Sequence, residues 1–404
     1  MEGGAPATLG EDAISRSPAN DSPMRILFAS SSSGSRGGGE LYLLYLGEAL
    51  AQRGHEVVLW ASKHPRMDEL CESFSRFGKV IRAAYRNTYD HPFRSLGHWL
   101  DFFSSSQIAK DWQSVSPDLV HINKQNLEDG LDLLQAAHRA SLPTVCTIHL
   151  TQTARYLGAQ LAPTRDFTAK RALKKFPGPF VAVLENRRKN LSNFLGTEAE
   201  IRTIPNGVPV FDLAELARLR PIKRAELSVP DGSLLVTAVG RMVPQKRPLL
   251  FLEKARQILE HLPDTKFLWV GDGWLSNEWD QYVAQHHLGE AVIRVPWQSS
   301  VIPFLAAADL FLHVADYEGL PLALLEAMSA GLPCAVADNL LAEMPFLNVE
   351  NSIAVGTDSE EWLRPLRDRA LLRRLGQASR QLLMDEFSFA KMASQYEALY
   401  GSVL

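Results

Sequence analysis

The stretch RILFASSSSGSRGGGELYLLYLGEALAQRGHEVVLW, residues 25–60, sets the reading of the whole chain. A strand over 25–30 leads into a glycine loop at 34–39, an amphipathic helix over 40–53 and a second strand over 55–60. This order predicts parallel strands joined by a right-handed crossover. Glycines let backbone amides approach an anion, and the helix start that follows favours negative charge. A glycine cluster also serves as a plain turn, so its place after the first strand carries the argument. Gly38 and Gly39 are therefore candidate contacts for a phosphorylated ligand.

The same alternation continues outward from this unit. Strands are expected over 118–122, 144–148, 180–184 and 200–204, with helices over 127–140, 165–176 and 185–195. The aromatic-rich stretch 62–115, which includes Phe93 and Trp99, reads as helical with loops. Pro205, Pro209, Pro221 and Pro230 mark a linker near 206–232. A second alternating set follows. Its strands are expected over 233–239, 265–270, 292–295, 309–314 and 333–337, and its helices over 248–260, 274–287, 301–307 and 321–330. Pro248 suits the first position of its helix. The prediction is an α/β chain of two doubly wound, Rossmann-like domains facing each other across a cleft. Residues 1–23, rich in Gly, Ala, Pro and Ser, read as a disordered tail, 24–206 as the first domain and 207–385 as the second. A final helix, 388–402, within the segment 386–404, carries a packed face.

Composition narrows the class. The 404 residues allow two or three domains at roughly 150 residues each. A net charge of −4 gives no footprint for nucleic acid. No run of 18 apolar residues and no secretory-type apolar segment occurs. Three widely spaced cysteines form no disulfide framework. The expected place is the cytoplasm, either free or peripheral to the membrane.

Ligands of open α/β sheets lie beyond the carboxyl ends of the strands, so candidate residues are sought there. Arg241 and Lys246 follow the first strand of the second domain, where two cations can neutralise a departing diphosphate. No Asp-x-Asp pair occurs, so no metal and no cofactor are expected, and cationic side chains take the metal's role. Glu318-Gly319-Leu320-Pro321 opens a helix whose amides can face a phosphate. Glu326 lies inside that apolar helix and needs hydrogen-bond donors, for which ribose hydroxyls are suitable. His149 ends a strand on the opposite wall and can hydrogen-bond a bound ligand. His121 reads as packing or acceptor-side, Asn206-Gly207 as a structural turn, and Asp272 as a solvated turn residue. Each charged residue has a plain alternative, a solvated surface group or a buried salt bridge. The stretch 165–189 carries eight basic residues against two acidic ones. It reads as a solvated helix face, with weak contact to an anionic membrane as the alternative.

These residues together resemble the retaining GT-B glycosyltransferases of family 4, over about 24–404. The marks are the glycine loop 37–39, Ile204-Pro205-Asn206-Gly207-Val208, Gly240-Arg241 with Lys246, Val270-Gly271-Asp272-Gly273, Ala306-Ala307-Ala308-Asp309-Leu310-Phe311 and the pair Glu318/Glu326. The resemblance implies that Arg241 and Lys246 hold the diphosphate, Glu318 the sugar hydroxyls and Glu326 the ribose. It implies that His149 lies beside the sugar, the base near Val295 to Trp297, and the last helix across the first domain. Three positions depart from the family pattern: Val314-Ala315, Leu184 before Glu185, and Leu340-Leu341 ahead of Glu343. The implied reaction is transfer of a sugar from a nucleotide diphosphate sugar, UDP-linked in preference to GDP-linked, to an unidentified hydroxyl. A nucleotide-sugar epimerase on the same plan would need acid/base carboxylates near the sugar. A non-catalytic binding protein is the other alternative.

Overall fold

The computed structural model describes residues 22–32, 37–86, 95–96, 102–196, 199–356 and 361–404. The expected tail up to residue 21, loop residues 34–36, Phe93 and Trp99 lie outside the described residues. The first sheet holds β1 (Arg25–Ser30), β2 (Glu56–Ser62), β3 (Lys79–Ala83), β4 (Leu119–Lys124), β5 (Thr144–Ile148), β6 (Phe180–Ala182) and β7 (Ile201–Thr203). Their order is β3-β2-β1-β4-β5-β6-β7, and every pair is parallel. The second sheet holds β8 (Leu235–Val239), β9 (Lys266–Val270), β10 (Val292–Val295), β11 (Leu310–His313), β12 (Cys334–Ala337) and β13 (Ser352–Val355). Its order, β10-β9-β8-β11-β12-β13, repeats that of the first. The chain reverses direction across each sheet beside β1 and beside β8, and crevices open at such switch points.

The helices are α1 (Gly38–Gln52), α2 (Asp68–Phe74), α3 (Phe102–Val115), α4 (Leu131–Ala140), α5 (Ala162–Leu173), α6 (Glu185–Leu195) and α7 (Leu213–Glu226). They continue with α8 (Pro248–His261), α9 (Ser276–Gln285), α10 (Ile302–Ala307), α11 (Leu322–Ser329), α12 (Asp338–Leu341), α13 (Arg369–Glu386) and α14 (Phe389–Val403). None of the described helices is long and apolar enough to cross a membrane.

Two expectations need correction. The stretch 62–115 is not only helix and loop, because β3 adds an edge strand beside β2. The expected linker is largely α7. Asp212 caps its first turn by accepting from the Ala214 amide at 2.9 Å. Pro221 sits inside the helix, where it removes one backbone donor. Tertiary bonds offset that loss. Arg220 donates to the carbonyls of Ala306, Ala307 and Ala308, and Arg224 to that of Ala307, which caps the end of α10. Both arginines also pair with Asp309.

The last helix ties the halves together. α14 packs on α1, and Tyr400 meets His121 Nδ1 at 2.5 Å. His121 Nε2 meets Thr147 at 2.8 Å, and Tyr396 bonds the same threonine at 2.8 Å. Burial lowers His121 to about 3, so the ring stays neutral. It is therefore a packing residue within β4 rather than a strand-end group facing the acceptor.

Candidate functional site

The two switch points face one cleft of ≈ 1660 Å³. On the first-domain wall, Asp129 joins the ends of β1 and β4. Its carboxylate accepts from Ser31 and from the amides of Gln125 at 2.8 Å and Asn126 at 3.1 Å. It also pairs with the fully buried Lys124 at 3.4 Å. Above this braced floor sits the N-terminus of α1. The amides of Gly38 and Gly39 have no acceptor among the described residues. A Cβ on Gly38 would stand 3.8 Å from Leu322, the first residue of α11. The starts of α1 and α11 thus face one another across the cleft, each a site favourable to an anion.

His149 follows β5 on the same wall. Asn123 Nδ2 donates to the Gly39 carbonyl at 3.0 Å, which turns Oδ1 towards His149 Nε2 at 2.8 Å. That nitrogen therefore carries the proton. Burial lowers His149 to about 4, so at neutral pH it is an uncharged, oriented ring rather than a cation.

On the second-domain wall, the Arg241 peptide is fixed from both sides. Gly240 N donates to Val270 at 3.0 Å, and Met242 N to Asp272 at 2.8 Å. The exposed Arg241 side chain forms no hydrogen bond or ion pair with a described residue. Asp316 N donates to Gln245 at 2.8 Å, and Gln245 Nε2 to Tyr317 at 3.0 Å. This stitch brings Lys246 onto the carboxylate of Glu318. Glu318 Oε1 also lies 3.5 Å from His313 Nε2. Burial alone would raise Glu318, but Lys246 and His313 outweigh it and hold the carboxyl at about 2. Lys246 and Glu318 are thus an ion pair in which the carboxylate is buried and the lysine half-buried.

Glu326 differs from expectation. Its carboxylate already has a donor, the Tyr45 hydroxyl of α1 at 2.5 Å. Burial still raises Glu326 to about 7 against that bond. Val295 does not line the cleft. Its side chain packs on the cluster of Leu235, Leu268, Val270, Phe304 and Ala307. Trp297, two residues on, does line it, held by its amide donating to Asp272 at 2.8 Å. Asp272 is therefore exposed but engaged. Gly319 and Leu320 line the cleft with amides that have no acceptor among the described residues.

Three cleft residues escaped the sequence reading as site residues: Tyr45, Gln125 and Asn206. Asn206 Nδ2 holds the Leu320 carbonyl at 2.7 Å, while its buried Oδ1 has no partner. Gln125 Nε2 is likewise buried and unpartnered. Their positions just past β4 and β7 were the available signal. At the departing position Leu340-Leu341, the chain forms α12, and Glu343 pairs with the buried Arg187 of α6 across the cleft. Within 165–189, Arg165 and Arg188 are also paired, with Glu128 at 2.7 Å and Glu185 at 2.6 Å. Among the described residues, no group of three His, Cys, Asp or Glu side chains is placed to hold a metal ion.

At Gly319 the two walls approach closely in backbone. An added Cβ would stand 2.5 Å from the His149 carbonyl oxygen, closer than packed atoms allow. Gly319→Ala is expected to push the β5 end away from α11 and lower turnover about tenfold, because reacting groups misplaced by a fraction of an ångström lose alignment. Steady-state kinetics beside a thermal melt would check this. Unchanged kcat would refute it.

These features define a GT-B protein, two Rossmann-like domains with a cleft between their strand ends. Two family models match the chain in succession. Glycosyltransferase Family 4 covers residues 36–210, and Glycosyl transferases group 1 covers 220–354. Together they take in most of the sequence, and the chain belongs to the family 4 glycosyltransferases. It is 31% identical over 211 residues to UDP-Gal:alpha-D-GlcNAc-diphosphoundecaprenol alpha-1,3-galactosyltransferase of Escherichia coli, matching 50% of this chain and 54% of that one. The chain thus spans about half the length of that relative. It is 23% identical to N-acetyl-alpha-D-glucosaminyl L-malate synthase of Bacillus anthracis, over 89% of this chain and 92% of that one. The fold matches Anabaena Alr3699/HepE, solved with UDP and glucose, with a TM-score of 0.73 at 19% identity. That likeness covers 94% of this chain and 100% of the other.

Proposed function

We propose that the protein transfers a sugar from a nucleotide diphosphate sugar to a hydroxyl acceptor, with retained anomeric configuration and without a metal. The observation that carries this reading is the convergence of two helix starts, Arg241 and Lys246 on one cleft. In the reaction the bond from the anomeric carbon to the phosphate oxygen breaks, and its electron pair stays on the phosphate. An oxocarbenium-like transition state follows. Arg241, Lys246 and the amides of Gly38, Gly39, Gly319 and Leu320 stabilise the growing negative charge. The acceptor oxygen bonds the anomeric carbon from the same face, and its proton passes to the leaving phosphate. Glu318 positions Lys246 and meets the sugar hydroxyls. His149 lies beside the sugar as a neutral ring. UDP is the favoured carrier, supported by the UDP-bound relative and the UDP-Gal-dependent one.

Incubation with labelled UDP- and GDP-sugars, with and without EDTA, tests the reading. Transfer or slow hydrolysis with the original anomeric configuration, unaffected by EDTA, is expected. An isomerised sugar would indicate an epimerase, and binding alone a non-catalytic protein.

Glu326 supplies a further test. In the free protein its carboxyl, at about 7, is largely protonated at pH 6. Ribose hydroxyls donating to the carboxylate would favour the charged form and lower that value. Binding of UDP at pH 6 is therefore expected to release about one proton, and affinity to rise with pH until about 7. Calorimetry in two buffers of different ionisation enthalpy measures this. Glu326→Gln should bind more weakly and release about one proton fewer than the wild type. Equal proton release by that variant would remove Glu326 from the ribose site.

A further inference from the structure

We propose that the segment 155–174, at the mouth of the cleft, docks the protein on an anionic lipid surface. Eleven large apolar residues stand exposed among the described residues, and four of them fall between 156 and 167. Tyr156 is 64% exposed, Leu157 42%, Leu161 66% and Phe167 61%. Such a concentration is unlike the single exposed apolar side chains of ordinary surfaces.

The four are held as one surface. Asp166 of α5 accepts from the amides of Ala154 at 2.7 Å and Arg155 at 3.2 Å, which fastens the turn bearing Tyr156 and Leu157 to the helix bearing Phe167. Leu161, the residue just before that helix, sits at φ 56, a left-handed conformation that a bulky side chain adopts only under constraint. The core side of α5 is already filled, since Ala169 and Leu173 are buried. Phe167 therefore has no place inside.

Charge complements this apolar rim. Positions 167, 170, 171 and 174 share a helix face, so Phe167 lies in line with Lys170, Arg171 and Lys174. From 150 to 184, Asp166 is the single acidic residue, and its carboxylate is committed to the turn. A cationic face edged by leucine and aromatic residues is the chemistry that anionic interfaces recognise. The surface also adjoins the site. Leu157 lines the cleft, and the Tyr156 ring meets Tyr317, next to Glu318, edge-on at 6.0 Å. An acceptor anchored in that surface would reach the cleft without leaving it. This exceeds the weak, salt-sensitive contact expected of 165–189 alone, because apolar contacts are not screened.

Co-sedimentation with phosphatidylglycerol–phosphatidylcholine vesicles, and with pure phosphatidylcholine vesicles, tests the proposal. At near-physiological salt the full chain should partition onto the anionic vesicles about tenfold more strongly than onto the neutral ones. Leu161→Asn with Phe167→Ser should lower the anionic partition about tenfold, with the melting temperature and UDP affinity unchanged. Lys170→Ser with Lys174→Ser should reduce the anionic preference. Absence of wild-type binding, or equal binding by the Leu161/Phe167 variant, would overturn it. So would a dimer that this variant dissolves without any vesicle binding, which would assign the surface to a second copy of the chain.

Discussion

Replacing Arg241 by Ala is expected to lower kcat by about 100- to 1000-fold and to leave the melting temperature unchanged. The side chain is exposed in the cleft and bonds no described residue, so the fold gains nothing from its charge. The backbone on both sides is fixed by the Gly240–Val270 and Met242–Asp272 bonds, so the truncated variant keeps the loop in place. On the proposed mechanism, what is lost is a cation aimed where the leaving phosphate gains charge. Because that charge grows in the transition state, the loss should fall on kcat more than on KM. Steady-state kinetics with the preferred nucleotide sugar, beside a thermal melt, separates the two. Near-normal kcat, or a lowered melting temperature, would show that Arg241 serves the fold instead.

Much of this architecture was legible because its elements carry local signals. The strand, glycine turn and amphipathic helix of 25–53 announce themselves in sequence, and the second unit repeats the pattern around Gly240 and Pro248. β3 was not legible, since Lys79-Val80-Ile81-Arg82-Ala83 is a short edge run whose two charges stand three apart, without the strict alternation of a strand, amid aromatics that suggested helix. α7 was hidden by its prolines. Pro221 does weaken the helix, and only the distant carbonyls of α10 explain why it persists. Strand-end reasoning brought Arg241, Lys246 and Glu318 to one cleft, and the family resemblance brought Trp297 there, but the resemblance misplaced Val295, whose strand turns that side chain onto its own core. The pairing of Glu326 with Tyr45 joins residues 281 positions apart, and no local pattern encodes such a contact. The exposed face of α5 was obscured for a related reason. Ala169 and Leu173 pack inward, and only the structure separates Phe167 from them.

Lys246→Ala should affect turnover at least as strongly as the loss of Arg241, and unlike that change it should also destabilise the protein, by about 3–5 kcal/mol. The reason is Glu318, which is buried and charged at neutral pH because Lys246 lies against it. In the wild type the Glu318 carboxyl sits at about 2, below the ordinary carboxylate value of 4.5. A depressed carboxyl contributes stability above its unfolded value and loses it as pH falls through 4.5 towards 2. Without Lys246, burial becomes the dominant influence and raises the carboxyl above its unfolded value. The sign then reverses, and stability is lost as pH rises from 4.5 through the new folded value. The deficit of Lys246→Ala relative to wild type should therefore be larger at pH 8 than at pH 5. Adding Glu318→Gln should recover most of the stability and none of the turnover, because it removes the unpaired charge without restoring a cation for the phosphate. Denaturant unfolding of the three proteins at both pH values, with kcat at pH 8, decides the matter. An equal deficit at pH 5 and pH 8 would mean that Lys246 is a surface charge and that Glu318 is held by something else.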